Sequence, residues 1–271
     1  LLRCGAAIDE MNCVRKHLSA IKGGRLARAA APARLEALII SDVPGDDPAI
    51  IASGPTVPDP TSFADARHVI ERFGISLPSA VRAHLEAAAD ESPKPGDPCF
   101  ANTAAHLIAT PAMALAAAAR VAEGAGYTVD LLGDALEGEA RAVAAEHADR
   151  ARAAAPGTII LSGGELTVTL DGQGRGGPNG EYALALALAL DGTDNIHAMA
   201  CDTDGIDGSE DNAGARIGPD TLTRTAAAGI DPSAALVAND SYGIFAALGD
   251  LVVTGPTHTN VNDFRAILIE P

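Results

Sequence analysis

Two rhythms of apolar positions alternate along the chain. Residues 8–21, 62–73, 79–89, 111–125, 137–154, 178–190, 220–228 and 242–248 read as helices. Gly23-Gly24 interrupts the first pattern, and Arg25–Ala31 continues it as helix or turn until Pro32. Short apolar runs predict strands at Leu35–Ser41, Leu107–Ala109, Thr128–Leu132, Thr158–Leu161, Ile196–Cys201, Leu251–Thr254 and Ile267–Ile269. Leu166–Leu170 shows a period of two, so it predicts a further strand with one apolar face, entered from a tight Ser-Gly-Gly-Glu turn. Helices alternating with apolar strands predict an α/β fold with a mainly parallel sheet, Leu166–Leu170 and Ile267–Ile269 adding antiparallel edges. Asp42–Pro60 carries prolines at 44, 48, 55 and 58 and reads as a long ordered loop. Proline, glycine and charge replace the apolar rhythm over Glu91–Asp97, which is the best linker and divides the chain into 1–97 and 98–271.

Composition narrows the picture. Hydrophobic residues are 47% of 271 but aromatics only 3%, so Ala, Leu, Val and Ile must fill the core. The net charge of −17 argues against nucleic-acid or anionic-membrane partners. An anionic substrate then needs a local cationic pocket, and two of the three lysines, Lys16 and Lys22, fall near the start of the chain. Cys4, Cys13, Cys99 and Cys201 have no metal-binding spacing and fit reduced thiols of a cytoplasmic protein.

Four stretches carry candidate chemistry. Gly172–Gly180 holds five glycines and Arg175 ahead of a helix start at Pro178, where free N–H groups and a guanidinium would suit phosphate; a hairpin and loop in a Gly-rich protein is the other reading. On a continuous helix Arg15 and Lys22 would share a face, with Ser19 between them, either as an anion site or as a solvated face. Asp202, Asp204 and Asp207 follow a predicted strand. An EF-hand fails there, since Asp207 and Ala213 stand where Gly and Glu are needed, so a Mg²⁺–nucleotide site fits better. Asn260-Val261-Asn262 would suit a hydroxylated ligand or form a capped loop. His68, His84 and His147 lie in predicted surface helices and are expected to face solvent. Gly174, Gly176 and Gly180 form GxGxxxG, which departs from the dinucleotide fingerprint although Asp194 follows at the right distance.

SGGE-TVT at 162–169, GRGG at 174–177 with Asn179 and Glu181, and a Leu/Ala helix resemble the C-terminal signature of the class II glycerate 2-kinases, also called MOFRL-family proteins or hydroxypyruvate reductases. Glu10–Ala30, Ile40–Pro58, Asp202–Ala213 and Asp250–Phe264 resemble further motifs of that family, in the right order. Leu166 replaces a usual threonine, and Pro178 stands where a second arginine is common. The resemblance implies phosphoryl transfer from ATP, with Mg²⁺, to the 2-hydroxyl of D-glycerate. It implies a partial Rossmann-like domain over 1–97 and a MOFRL-type domain over 98–271. It assigns phosphate contacts to Ser162, Gly163, Gly164, Glu165, Gly174, Gly176, Gly177 and Asn179, and catalysis to Arg175 and Lys22. Asp202 and Asp204 are the metal candidates, and Arg15, Lys16, Ser53 and Asn260 contact the substrate. A family N-terminal part is expected to be missing, leaving an apolar edge open to self-association. An NAD(P)-dependent reductase and a non-catalytic nucleotide-binding module are the alternatives.

Overall fold

In the computed structural model the first helical rhythm becomes α1 (Ile8–Leu18), shorter than predicted. It stops because Ser19 turns extended and its hydroxyl accepts the N–H groups of Ile21 and Lys22. Arg15 and Lys22 therefore do not share one continuous helix. The structure describes residues 1–191 and 193–271. They form two compact units, Leu1–Ile108 and Ala109–Pro271.

In the first unit, α1 is followed by α2 (Arg25–Ala30), β1 (Leu35–Ile40), α3 (Phe63–Arg72), α4 (Ser79–Ala87) and β2 (Thr103–Ala109). β1 and β2 pair in a two-stranded sheet, so the unit runs past the Glu91–Asp97 linker. Ser62 caps α3, its hydroxyl accepting the Asp65 N–H while Asp65 reaches back to the Ser62 N–H. Phe63, Ala66, Val69 and Ile70 of α3 pack with Cys13, Val14 and Leu85 into a small core.

The second unit contains α5 (Pro111–Gly124), β3 (Thr128–Glu139), α6 (Ala140–Ala153), β4 (Thr158–Thr167), α7 (Pro178–Ala189) and β5 (Ile196–Asp202). β6 (Gly214–Ile217), α8 (Thr221–Ala227), α9 (Pro232–Val237), α10 (Ser241–Leu248), β7 (Leu251–Val252) and β8 (Asp263–Ile269) complete it. The sheet order is β3-β4-β8-β5-β6-β7. Only β3 and β4 pair in parallel; β4–β8, β5–β8, β5–β6 and β6–β7 are antiparallel. Followed through these pairs, β3, β4, β5 and β7 run one way and β8 and β6 the other. Most strands thus share a direction, as the α/β alternation predicts, although most neighbours are antiparallel. β8 is no edge: it lies between β4 and β5.

The predicted strand, the Ser-Gly-Gly-Glu turn and the first two residues of the predicted second strand are one strand, β4, while residues 168–170 lie beyond its end. Glycine signals a turn locally, but here pairing on both sides holds the segment extended: Ser162, Gly163 and Gly164 pair with Arg265, Phe264 and Asp263 of β8. On the other side β3 bulges between Gly133 and Leu136. A Cβ on Gly164, whose φ is +102°, would lie 2.2 Å from the backbone N and O of Leu136.

α7 is buried almost throughout, from Asn179 to Ala187, as an all-round apolar helix must be. α6 covers it with Ala140, Ala144, Ala148 and Ala151, all essentially inaccessible. His147 shares this covered face, contrary to the expectation of a solvent-facing histidine. Its Nδ1 is 2.8 Å from the Tyr182 hydroxyl, and burial pushes its pKa down to about 4, with Arg265 and Arg150 adding to the shift. The core is Ala, Leu, Val and Ile with few aromatics, as composition requires. No helix among the described residues is long and apolar enough to cross a membrane.

Gly164→Ala places a methyl group inside the β3 backbone at a positive φ. It is expected to destabilise the protein by more than about 3 kcal/mol, read by urea unfolding. A change below ~1 kcal/mol would show that the bulge accommodates a side chain.

Candidate functional site

The first turn of α7 begins as the sequence predicts, with Pro178 at its first position and Gly177 before it. Its anion is not a ligand. The Asp207 carboxylate accepts the Asn179 N–H at 2.9 Å and the Gly180 N–H at 2.7 Å. The Asn179 side chain donates to Asp263 at 2.7 Å. Asn179 is therefore committed to carboxylates of its own chain, and the helix start is not an open phosphate seat.

Ser162 and Gly163 are likewise committed. The fully buried Arg265 donates to the Ser162 hydroxyl, the Gly163 carbonyl and Asp263. Glu165 is exposed on β4, opposite Glu137 of β3. The glycines that follow have a packing reason. Cβ atoms on Gly172 and Gly174 would strike Ala238 and Asp240; on Gly176, the Ser241 hydroxyl; on Gly177, Asp207. The loop lies so close to the α9–α10 connection that only glycine fits.

Arg175 is displayed outward from this loop. Its N–H donates to Asp240 at 3.1 Å and its carbonyl accepts the Tyr242 N–H at 2.9 Å. Its guanidinium lies 4.7 Å from the centre of the Tyr242 ring and 3.7 Å from Glu210. Tyr242 also lines an open cleft of about 720 Å³ with Gly205, Ile206, Glu210, Asp211 and Pro256. Sequence reasoning missed Tyr242. The available signal was a scarce aromatic at the start of a helix in a chain with three tyrosines.

Asp202 and Asp204 sit on the loop leading into this cleft. Asp202 accepts the Asp204 N–H at 2.9 Å, and Asp204 accepts the Ile206 N–H at 2.8 Å. Burial pushes Asp202 up to about 7, the Asp204 N–H opposing the shift while the Asp204 and Asp263 carboxylates add to it. Burial also raises Asp207 to about 6, against the pull of the N–H groups of Asn179 and Gly180. Negative charge is thus crowded and only partly compensated here. Among the described residues no three His, Cys, Asp or Glu side chains converge on one metal position. Asn260 makes a local turn, accepting the Asn262 N–H at 2.9 Å, while the Thr203 hydroxyl holds the same loop at Val261 and Asn262.

In the first unit the basic residues separate. Arg15 donates to Asn12, Asn12 accepts the Ser53 hydroxyl at 2.9 Å, and Lys22 donates to the Ala52 carbonyl at 2.8 Å. Arg15, Lys22 and Ser53 therefore gather at one turn, where Ala52, Ser53 and Gly54 all have φ between +52° and +62°. Successive left-handed residues are strained, and such strain is concentrated at ligand sites. Lys16 points elsewhere. It is buried and pairs at 3.3 Å with the inaccessible Asp59, which also accepts from Thr61 and Ser92. The expectation of Lys16 as a substrate contact gives way to a core ion pair.

Removing one member of a buried pair strands the other. Lys16→Met is expected to destabilise the protein by about 3 kcal/mol. Lys22→Met should cost under ~0.5 kcal/mol, as a surface change does. Equal losses in urea unfolding would return Lys16 to the surface set.

Glu91 tests the same network by pH. Burial alone would raise its pKa, but the N–H groups of Phe63 and Ser92, with Lys94 and His17, hold it at about 2 instead of 4.5. A depressed carboxyl stabilises above its unfolded pKa. The advantage of wild type over Glu91→Gln should be present above about pH 4.5 and vanish as pH falls toward 2. Because the side chain is 40% exposed, solvent screening limits it to about 1 kcal/mol. An advantage independent of pH would remove Glu91 from the network.

Residues 158–263 match the MOFRL family, and residues 1–86 match a domain of unknown function, DUF4147. A putative hydroxypyruvate reductase of Agrobacterium vitis is 52% identical, across 99% of this chain and 71% of that protein. The glycerate 2-kinase of Pyrococcus horikoshii is 40% identical, across 99% of this chain and 63% of that protein. The crystal structure of glycerate kinase from Thermotoga maritima superposes with a TM-score of 0.90 at 38% identity, across 99% of this chain and 65% of that one. The chain thus spans slightly under two thirds of the length of these two kinases. Similarity along 99% of its own sequence, carried through both units, makes this chain a member of the glycerate 2-kinase (MOFRL) family.

Proposed function

We propose that the protein transfers the γ-phosphoryl group of ATP to the 2-hydroxyl of D-glycerate, forming 2-phosphoglycerate. The observation that carries this reading is Arg175, held outward against Tyr242 and Glu210 of an open cleft, with the crowded carboxylates of Asp202 and Asp204 on the loop before Gly205 and Ile206. Phosphoryl transfer asks the protein mainly to position reactants and neutralise charge, and an arginine of this kind can contribute several orders of magnitude in rate. The relatives named as glycerate kinases give the substrate.

The cleft of the second unit is the proposed phosphate site, with Arg175 on the transferred group. This moves the phosphate from the α7 start, where Asp207 stands, to the rim. Asp202 and Asp204 fit a divalent cation: Mg²⁺ needs only one or two protein carboxylates beside phosphate oxygens, and their crowding leaves negative charge to offset. When bound, Mg²⁺ would neutralise charge on the phosphates. In the first unit, Arg15, Lys22 and Ser53 are the proposed contacts of the glycerate carboxylate and hydroxyls. Nicotinamide-dependent reduction, which the A. vitis relative's name suggests, has less support: the helix start that would seat a pyrophosphate holds Asp207.

ADP release with ATP, Mg²⁺ and D-glycerate tests the proposal on the full chain. NADH oxidation with hydroxypyruvate is measured in parallel. Arg175→Ala should lower turnover by well over tenfold, more than ~1.4 kcal/mol of barrier. Asp202→Asn and Asp204→Asn should weaken ATP binding more with Mg²⁺ than with EDTA. ATP binding without turnover would indicate a nucleotide-binding module, and NADH oxidation would indicate a reductase.

A further inference from the structure

Arg175 is 58% exposed, yet little of it is free to move. Its backbone is fastened on both sides, to Asp240 through N–H and to Tyr242 through the carbonyl. Its guanidinium lies on the Tyr242 ring. The ring is itself fixed at both ends: one end belongs to the first turn of α10, and the hydroxyl donates to Asp211 at 3.0 Å. The other polar restraint on the guanidinium is Glu210, at 3.7 Å, too long for a hydrogen bond. The guanidinium is thereby held over the Tyr242 ring and beside Glu210, both of which line the cleft.

An unrestrained arginine must lose rotamer freedom when it grips an anion, which weakens the grip. Stacking on a fixed ring removes that freedom beforehand. We propose that Tyr242 is the positioning residue for Arg175, holding the guanidinium at the cleft rim so that a phosphate finds its N–H edge already oriented. The ring acts through its face, so the hydroxyl is secondary. This inference rests on the reading of Arg175 as the receptor of a phosphoryl group.

The test uses the full chain with ATP and excess Mg²⁺ as the probe, by calorimetry. Tyr242→Phe keeps the ring and should bind within twofold of wild type. Tyr242→Leu should bind about fivefold more weakly, the size an exposed cation–π contact supports. Arg175→Ala should weaken binding at least as much, and adding Tyr242→Leu to it should change nothing further, because the tyrosine acts only through the arginine. A ligand-free readout accompanies these arms: the Arg175 Nε–Hε resonance, assigned by its absence in Arg175→Ala. Ring current should displace it in wild type and Tyr242→Phe, and it should return to the exposed-arginine position in Tyr242→Leu.

If Arg175→Ala weakens binding and Tyr242→Leu does not, the inference fails and the reading of Arg175 stands. A resonance unmoved by Tyr242→Leu also overturns the inference. So does a double variant weaker than Arg175→Ala alone, since Tyr242 would then act on the ligand or the fold directly. If wild type binds no ATP, or Arg175→Ala binds as well as wild type, the reading of Arg175 falls and takes the inference with it.

Discussion

The second unit depends on one contact, the Asp207 carboxylate on the first turn of α7. A helix buried on all sides cannot offer its leading N–H groups to water, so they need partners from the chain. Asp207 supplies two of them at once. It also draws the loop after β5 against α7, and Asn179 passes the connection to Asp263 at the start of β8. Arg265 then joins Asp263 to Ser162 and Gly163 in the middle of β4. A continuous chain of charge and amide thus runs from the helix start through the sheet. Asp207 leads directly into Ser209, Glu210 and Asp211, which line the cleft.

The first unit solves a similar problem with Asp59. That carboxylate is inaccessible and has Lys16, Thr61 and Ser92 as partners. His17 links the same region to Glu91, and its ring stacks edge-on against Phe63. With so few aromatics available, buried polar contacts take over part of the task of fixing which helix face points inward. They also remove Lys16 from the surface, which leaves Arg15 and Lys22 as the cations at the strained turn over 52–54.

The sequence was legible where the physics is local. Pro178 marks the start of α7, Ser62 and Asp65 mark the start of α3, and the two apolar rhythms place most elements within a few residues. It was illegible where partners distant in sequence decide. Ser162–Glu165 has the local signature of a turn, yet pairing with β3 and β8 makes it strand. His147 sits in a helix with a polar outer face, and only the arrival of α7 buries it. The glycines around Arg175 read as a cradle for phosphate because a sequence does not reveal the backbone packed against them. Of the predicted site residues, Arg175 lies against Tyr242 and Glu210 of the cleft, Asp202 and Asp204 precede its Gly205 and Ile206, and Arg15, Lys22 and Ser53 lie at one turn. From sequence Asp207 reads as one of three loop aspartates and a misfit to a calcium loop; its role at the start of α7 depends on a helix distant in sequence.

The place of β8 bears on how the protein is made. β8, Asp263–Ile269, follows the other five strands of this sheet in sequence yet lies between β4 and β5, so the middle of the sheet is made after its flanks. Until it leaves the ribosome, β3–β4 and β5–β6–β7 are separate ribbons, each with an unpaired edge, and Asn179 lacks Asp263. The second unit therefore cannot close until β8, made after β3 to β7, has joined them. The nascent protein passes through a stage with two apolar sheet edges exposed, when a chaperone matters most.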